Sequence, residues 1–310
     1  MRLRPLCGVA LFVLLTGLLL TGPAFAQGGG DVNEEVRRAV ERAVGASVSS
    51  SVAESLSRSI VSDAQRQREN TTIFVSPFYN RTDGDFDSAS FSADTGGGTI
   101  GFLQRINDDV LFHGAFAGAF TKAKAEVDGE TFRAEINYID MRLGVDLVFL
   151  NMDVAKAWFT LEGGVSRFDS DVQDVNALWA YRIAPSVTAS FRIAGAILFE
   201  PTIGFAFSRV FAGTPDDANE ADTVITFNPS FSLKYRGEKF RPQLNFAYSK
   251  VLAPKIISGN EDGVISVGPE VLYAISPNIL VGLAYSYATP LTKDVNVNSH
   301  TATLEFRWIF

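Results

Sequence analysis

The chain has 310 residues, a formal charge of -8, 46% hydrophobic residues, 25 Phe and a single Cys. Its acidic balance lacks the clustered Lys and Arg that nucleic-acid phosphates demand, which excludes that class of partner. Cys7 is the only cysteine, so disulfides, thiol chemistry and cysteine-held metals drop out together, and no cofactor or metal is expected.

The N-terminus opens with Arg2 and Arg4, an apolar run from Val9 to Leu20, then Gly22-Pro23 and the small-residue site Ala24-Phe25-Ala26. This is a secretory signal peptide, residues 1–26, cleaved after Ala26. The run is shorter than the about 18 residues a membrane anchor needs, and no stop-transfer segment follows. Cys7 lies before the run, where it is not a lipidation site. Losing Arg2 and Arg4 takes the charge from -8 to -10 in the mature chain, which fits a secreted surface with acidic loops.

Residues 27–71 form a leader. Gly28-Gly29-Gly30 is a flexible joint, and Asp31 with Glu34 reads as a capping box that opens a helix. Val32, Val36, Val40, Val44, Val48, Val52, Leu56, Ile60 and Ala64 recur every fourth residue. Four residues turn a helix by about 400°, so this stripe winds around the cylinder and cannot face one flat partner. The weak helix formers of 45–51 predict two pieces or one helix that frays there. The second piece, near 52–68, is slim and serine-rich and fits inside a barrel lumen; a periplasmic helix or an unstructured leader are the alternatives.

Residues 72–310 read as strands. Twelve are expected, near 72–80, 98–106, 109–120, 133–150, 155–168, 177–193, 196–211, 222–235, 238–251, 263–275, 278–288 and 300–310. Ten remain the alternative if 72–80 belongs to the leader. Every second joint is tight, at Asn107-Asp108, 151–154, Ala194-Gly195, Arg236-Gly237 and Ser276-Pro277. The other joints, 81–97, 121–132, 169–176, 212–221, 252–262 and 289–299, read as long polar loops. Short turns at one end and long loops at the other are expected of an up-and-down antiparallel β-barrel in the outer membrane, with both termini in the periplasm. No apolar run is long enough for a membrane helix, so the abundant aromatics belong to lipid-facing strands.

Side chains alternate sides along a strand, so faces can be assigned. In the last strand Leu304, Phe306, Trp308 and Phe310 oppose Thr301, Thr303, Glu305 and Arg307. Ile139, Met141, Leu143, Val145, Leu147 and Phe149 oppose Asp140, Arg142, Gly144 and Asp146. The inward charges are then Asp140, Arg142, Asp146, Lys156, Glu162, Arg182, Arg192, Glu200, Lys234, Arg241, Glu270, Glu305 and Arg307. Both signs occur, which predicts a mixed ion-pair network and no selectivity ring of one sign. The faces of 98–106 and 109–120 stay ambiguous, because Gly and Ala occur on both. Pro185, Pro201, Pro229, Pro242 and Pro269 each interrupt a strand, where a residue without an N–H is unusual.

The leader running straight into twelve strands resembles the translocator domain of autotransporters, over roughly residues 45–310. The stretch from Gly97 to Gly118 is similar to that family's second hairpin. The terminal Phe306, Trp308 and Phe310 resemble the signal that the outer-membrane barrel assembly machinery reads on its clients. The resemblance implies a monomeric outer-membrane barrel, in contact with membrane lipid and lipopolysaccharide. Only residues 27–71 stand between signal and barrel, so a large secreted passenger is not expected.

The resulting functional expectation is a passive pore or a surface-exposed structural protein without enzymatic activity. Three alternatives stand beside it: an open porin-like channel for small solutes, a surface adhesin, and a lipid-modifying enzyme. An enzyme would need His113 or His300 beside a nucleophile or acid, such as Ser299 or Asp294 near His300. Asp83, Asp85, Asp87, Asp216, Asp217, Glu261 and Asp262 fall in expected outer loops, where carboxylates serve solubility or, less simply, calcium. Trp158, Trp179 and Trp308 are candidates for interfacial belts, although Trp158 falls on the inward register.

Overall fold

The computed structural model describes residues 70–86, 89–127, 130–170, 178–212, 222–253, 263–291 and 296–310. The signal peptide and the leader helix lie outside the described residues, as do Asp87, Asp216, Asp217, Glu261, Asp262 and Asp294. The described residues fold into one antiparallel sheet: β1 (Thr71–Phe86), β2 (Ala89–Arg105), β3 (Val110–Val127), β4 (Glu130–Asn151), β5 (Ala155–Ser170), β6 (Leu178–Ala194), β7 (Ile197–Ala212), β8 (Asp222–Phe227), β9 (Ser230–Tyr235), β10 (Phe240–Ala253), β11 (Val264–Ser276), β12 (Ile279–Pro290) and β13 (Asn296–Ile309).

Except between β8 and β9, successive strands pair with each other, and β1 pairs with β13 as well as β2, so the sheet closes. Both β8 and β9 lie between β7 and β10. They are two halves of one strand, interrupted at Asn228-Pro229, and the ladder continues through the break. The Asn228 N–H donates to the Gly204 carbonyl at 2.8 Å, and the Tyr248 N–H to the Pro229 carbonyl at 2.9 Å. The barrel therefore has twelve strand positions, and β1 belongs to the wall. Closure leaves no unpaired sheet edge around the wall, which is what a strand protein needs in lipid.

The five tight joints stand as expected, all at one end. The chain also enters and leaves the barrel there, with the Phe310 N–H bonded to the Thr71 carbonyl at 2.9 Å. At the other end two expected loops are wrong. Segments 81–97 and 121–132 are mostly strand: β1–β2 register runs unbroken to Phe86 and Ala89, and β3–β4 register to Val127 and Glu130. Their outward residues are polar, which made them read as loops. Their inward residues Phe91, Ala93 and Ala123 pack into a small buried cluster with Ile136, Ala134 and Val297. The strand pattern survives with its polarity reversed, as in a sheet that stands in water.

Below this projection the outer face is apolar. Leu283, Ile203 and Phe116 point outward at 60%, 57% and 48% exposure, the arrangement of a lipid-facing band. Pro185, Pro201, Pro229, Pro242 and Pro269 all alternate onto this outer face, because their neighbours Ala184, Thr202, Asn228, Gln243 and Glu270 are buried within. Only Pro229 breaks its strand.

Backbones approach closely at Gly268, where an added Cβ would lie 2.2 Å from the Tyr285 carbonyl oxygen. A backbone atom cannot move aside as a side chain does, so Gly268→Ala is expected to destabilise the barrel by about 1–3 kcal/mol. The midpoint of denaturant unfolding in lipid vesicles measures this, and an unchanged midpoint would remove the clash.

The barrel interior as candidate functional site

The inward face is built from alternate residues, so charges two apart share it. On β4 the Arg142 guanidinium contacts Asp140, and on β13 that of Arg307 contacts Glu305. Neighbouring strands then join. Arg142 Nη1 lies 3.7 Å from Glu162 Oε1, and Lys234 Nζ lies 2.6 Å from Glu200 Oε2. Arg307 Nη2 reaches Glu270, two strands away, at 3.7 Å.

Neutral groups continue the chain around the wall. Gln243 donates to Glu270, Ser232 donates to Asn245 at 2.6 Å, and Ser190 donates to Glu200 at 2.5 Å. Ser166 donates to Asp140 at 2.6 Å and Thr160 to Asp146 at 2.5 Å. His113 Nε2 sits 3.7 Å from Asp146 Oδ2, and its ring lies over Gly144, where a Cβ would stand 2.3 Å away. Buried charges persist where each finds partners of this kind, since an isolated one is very costly.

The arc of β1, β2 and β3 is closed by different chemistry. Phe74, Leu103 and Leu111 form a buried apolar cluster that faces inward, with Ala115 against it. This cluster was missed because Gly and Ala on both faces of 98–120 hid the alternation. The large residues alone carried the signal, since Leu103 and Leu111 fall opposite Phe102 and Phe112.

Of the thirteen inward charges named from the sequence, Asp140, Arg142, Asp146, Lys156, Glu162, Glu200, Lys234, Glu270, Glu305 and Arg307 are buried. Arg182 and Arg241 are half-buried, and Arg192 is exposed at the rim, two residues before the end of β6. Trp158 is buried inside the barrel and marks no belt, whereas Trp308 faces outward. Phe306 and Trp308 stack on the outer face at 6.5 Å, and Phe310 is exposed beside the seam.

The histidines stand apart. The row of His113 crosses β1 at Thr72, near the short-turn end, and that of His300 crosses it at Arg81. His300 faces outward and its Nδ1 is hydrogen-bonded to the Tyr285 hydroxyl at 2.6 Å, while Ser299 on the opposite face accepts from Asn80 inside. Adjacent residues on a strand cannot share a face, so Ser299 and His300 form no pair. Asp83 is held by Arg81 at 2.9 Å. Among the described residues no three His, Cys, Asp or Glu gather as a metal site.

A closed barrel of twelve strand positions, apolar without and polar within, is a β-barrel of the kind that crosses membranes. Its fold is that of autotransporter translocator domains. The translocator domain of NalP from Neisseria meningitidis superposes with a TM-score of 0.56 at 9% identity, over 82% of this chain and 98% of that one. The transport unit of AIDA-I from Escherichia coli gives 0.55 at 10% identity, over 77% and 90%. An outer-membrane channel from Pseudomonas putida F1 gives 0.50 at 9% identity, over 78% and 96%. No family model and no curated protein matches the sequence.

Proposed function

We propose that this chain is a passive outer-membrane barrel of translocator type whose lumen is closed to solutes. The dryness of the interior carries the reading: Asp146, Arg307, Glu305 and Arg142 keep only 0%, 1%, 2% and 3% of their surface exposed. Charges lining a water-filled channel would be hydrated. The leader, 27–71, is the proposed occupant, because it joins β1 at the short-turn end, directly beneath the lumen. On this reading both termini are periplasmic, the long loops face the medium, the barrel is a monomer, and the assembly machinery recognises Phe306, Trp308 and Phe310. No enzymatic role is proposed: His300 is bonded to the Tyr285 hydroxyl with Ser299 on the opposite face, and His113 faces Asp146.

The alternative is an open diffusion channel, favoured by the fold it shares with the Pseudomonas channel. Liposome swelling separates the two. Vesicles carrying the refolded mature chain are expected not to swell in isotonic solutions of mono- or disaccharides. Rapid swelling would overturn the closed lumen and establish a channel.

A further inference from the structure

The prolines of the wall are gathered on one side of the barrel. Apart from Pro290, the last residue of β12, they are Pro77 on β1, Pro185 on β6, Pro201 on β7, Pro229 between β8 and β9, Pro242 on β10 and Pro269 on β11. Pro77 alternates outward like the other five, beside buried Ser76. Strands β2, β3, β4 and β5 hold none.

The ladders follow the prolines. From β1 round to β6 they run without a gap, except for one register shift between Val148 and Leu150 beside the short-turn rim. On the other side four seams are cut. β6–β7 lacks the pairings of Ala184-Pro185 and of Ala189-Ser190, the latter opposite Pro201 and Glu200. β9–β10 pairs only from Gln243 to Ala247, bounded by Pro242 at one end and Pro229 at the other. β11–β12 lacks Gly268-Pro269, and β13–β1 lacks Ser76-Pro77. Proline has no N–H, so the seam it points into loses a bond. Lipid offers the leftover carbonyl no other donor, which makes each cut costly. A rule of sheet chemistry broken this often on one side only marks a working part of the fold.

Side chains bridge the cut seams. Inside the lumen Thr188 and Thr202 are bonded at 2.9 Å across β6–β7, where Ser190 also donates to Glu200 at 2.5 Å. Ser232 donates to Asn245 at 2.6 Å across β9–β10, and Asn80 to Thr301 at 2.8 Å across β13–β1. Arg307 reaches over β12 to Glu270 at 3.7 Å. On the outer face Phe231 stacks on Phe246 at 4.6 Å, again across β9–β10. Such contacts re-form through rotamer changes when two strands turn against each other, whereas ladder bonds fix the backbones directly. We infer that the wall from β6 round to β1 is a compliant half, hinged at its proline seams and held to shape by lumen side chains. The wall from β1 to β6 is the rigid half. The barrel changes girth by turning strands at the cut seams, and the β1–β6 sheet stays paired while it does so.

Hydrogen–deuterium exchange of the refolded mature chain in lipid nanodiscs, read peptide by peptide, tests this. Within the apolar band, amides of β7, β10 and β11 are expected to exchange at least about tenfold faster than those of β3 and β4. The variant Pro201→Val/Pro269→Val restores two N–H donors. It is expected to slow exchange in β6, β7, β11 and β12 by about threefold or more and to leave β3 and β4 as they are. Equal exchange in the two halves of the parent overturns the inference, and that comparison needs no variant to fold. Exchange in the variant equal to the parent's overturns it too, since the seams would then not be hinged at proline.

Discussion

Deleting residues 27–68 from the mature chain is expected to raise its single-channel conductance in planar bilayers several-fold, from a barely resolved level to a steady open state. Width alone does not settle the matter. Eight strands leave room only for side chains, whereas sixteen to eighteen leave an aqueous channel, and twelve fall between. Whether such a barrel conducts depends on what fills it. The ion pairs Arg142–Glu162, Lys234–Glu200 and Arg307–Glu270 run along the wall, between strands one or two apart. They brace the wall and do not cross the lumen, yet the carboxylates and guanidiniums they join are almost wholly covered. If the leader covers them, its removal floods the lumen. Equal, large conductance with and without 27–68 would make the protein a diffusion channel. Equal, negligible conductance would assign closure to the wall's own side chains.

The second large effect is on stability. Glu200→Leu or Lys234→Met alone is expected to destabilise the barrel by about 3–5 kcal/mol, because each leaves a buried charge without the partner it contacts at 2.6 Å. Both residues retain only 3–4% exposure, so water cannot take the partner's place. The double variant is expected to recover most of the loss, since an apolar pair of similar volume replaces a desolvated ionic one. Unfolding in vesicles, followed by tryptophan fluorescence and analysed as a double-mutant cycle, gives the coupling. A lumen full of water predicts a very different result, singles of about 0–1 kcal/mol, as for exposed ion pairs. The experiment therefore reads the wetness of the interior independently of conductance.

Much of the fold was legible because a strand in a barrel wall repeats one constraint. Where Ile139 to Phe149 alternates with Asp140 to Asp146, the faces can be read from either set. Turns two to four residues long leave little freedom in how successive strands meet, so 107–108 and 236–237 announced their hairpins. Legibility failed where the constraint changed. Between Arg81 and Thr95 the outer residues stand above the apolar band, and polar side chains there looked like loop chemistry. The Lys124 ammonium, bonded to Glu126 at 2.5 Å, holds that carboxyl below its usual range, an ion pair suited to water and not to lipid. Gly101, Gly114 and Gly118 erased the contrast between faces in the second hairpin.

From the sequence alone came the strand order, the five tight joints, the inward sign of ten buried charges and the aromatic end, because each is written within one short segment. Partners were beyond it. That Glu200 meets Lys234, that Arg307 reaches Glu270 and that His113 faces Asp146 depends on register between strands, which local alternation leaves free by any even shift. The height at which any side chain stands on the wall depends further on the tilt of the closed barrel. Tilt belongs to no single strand; it arises only when β13 meets β1.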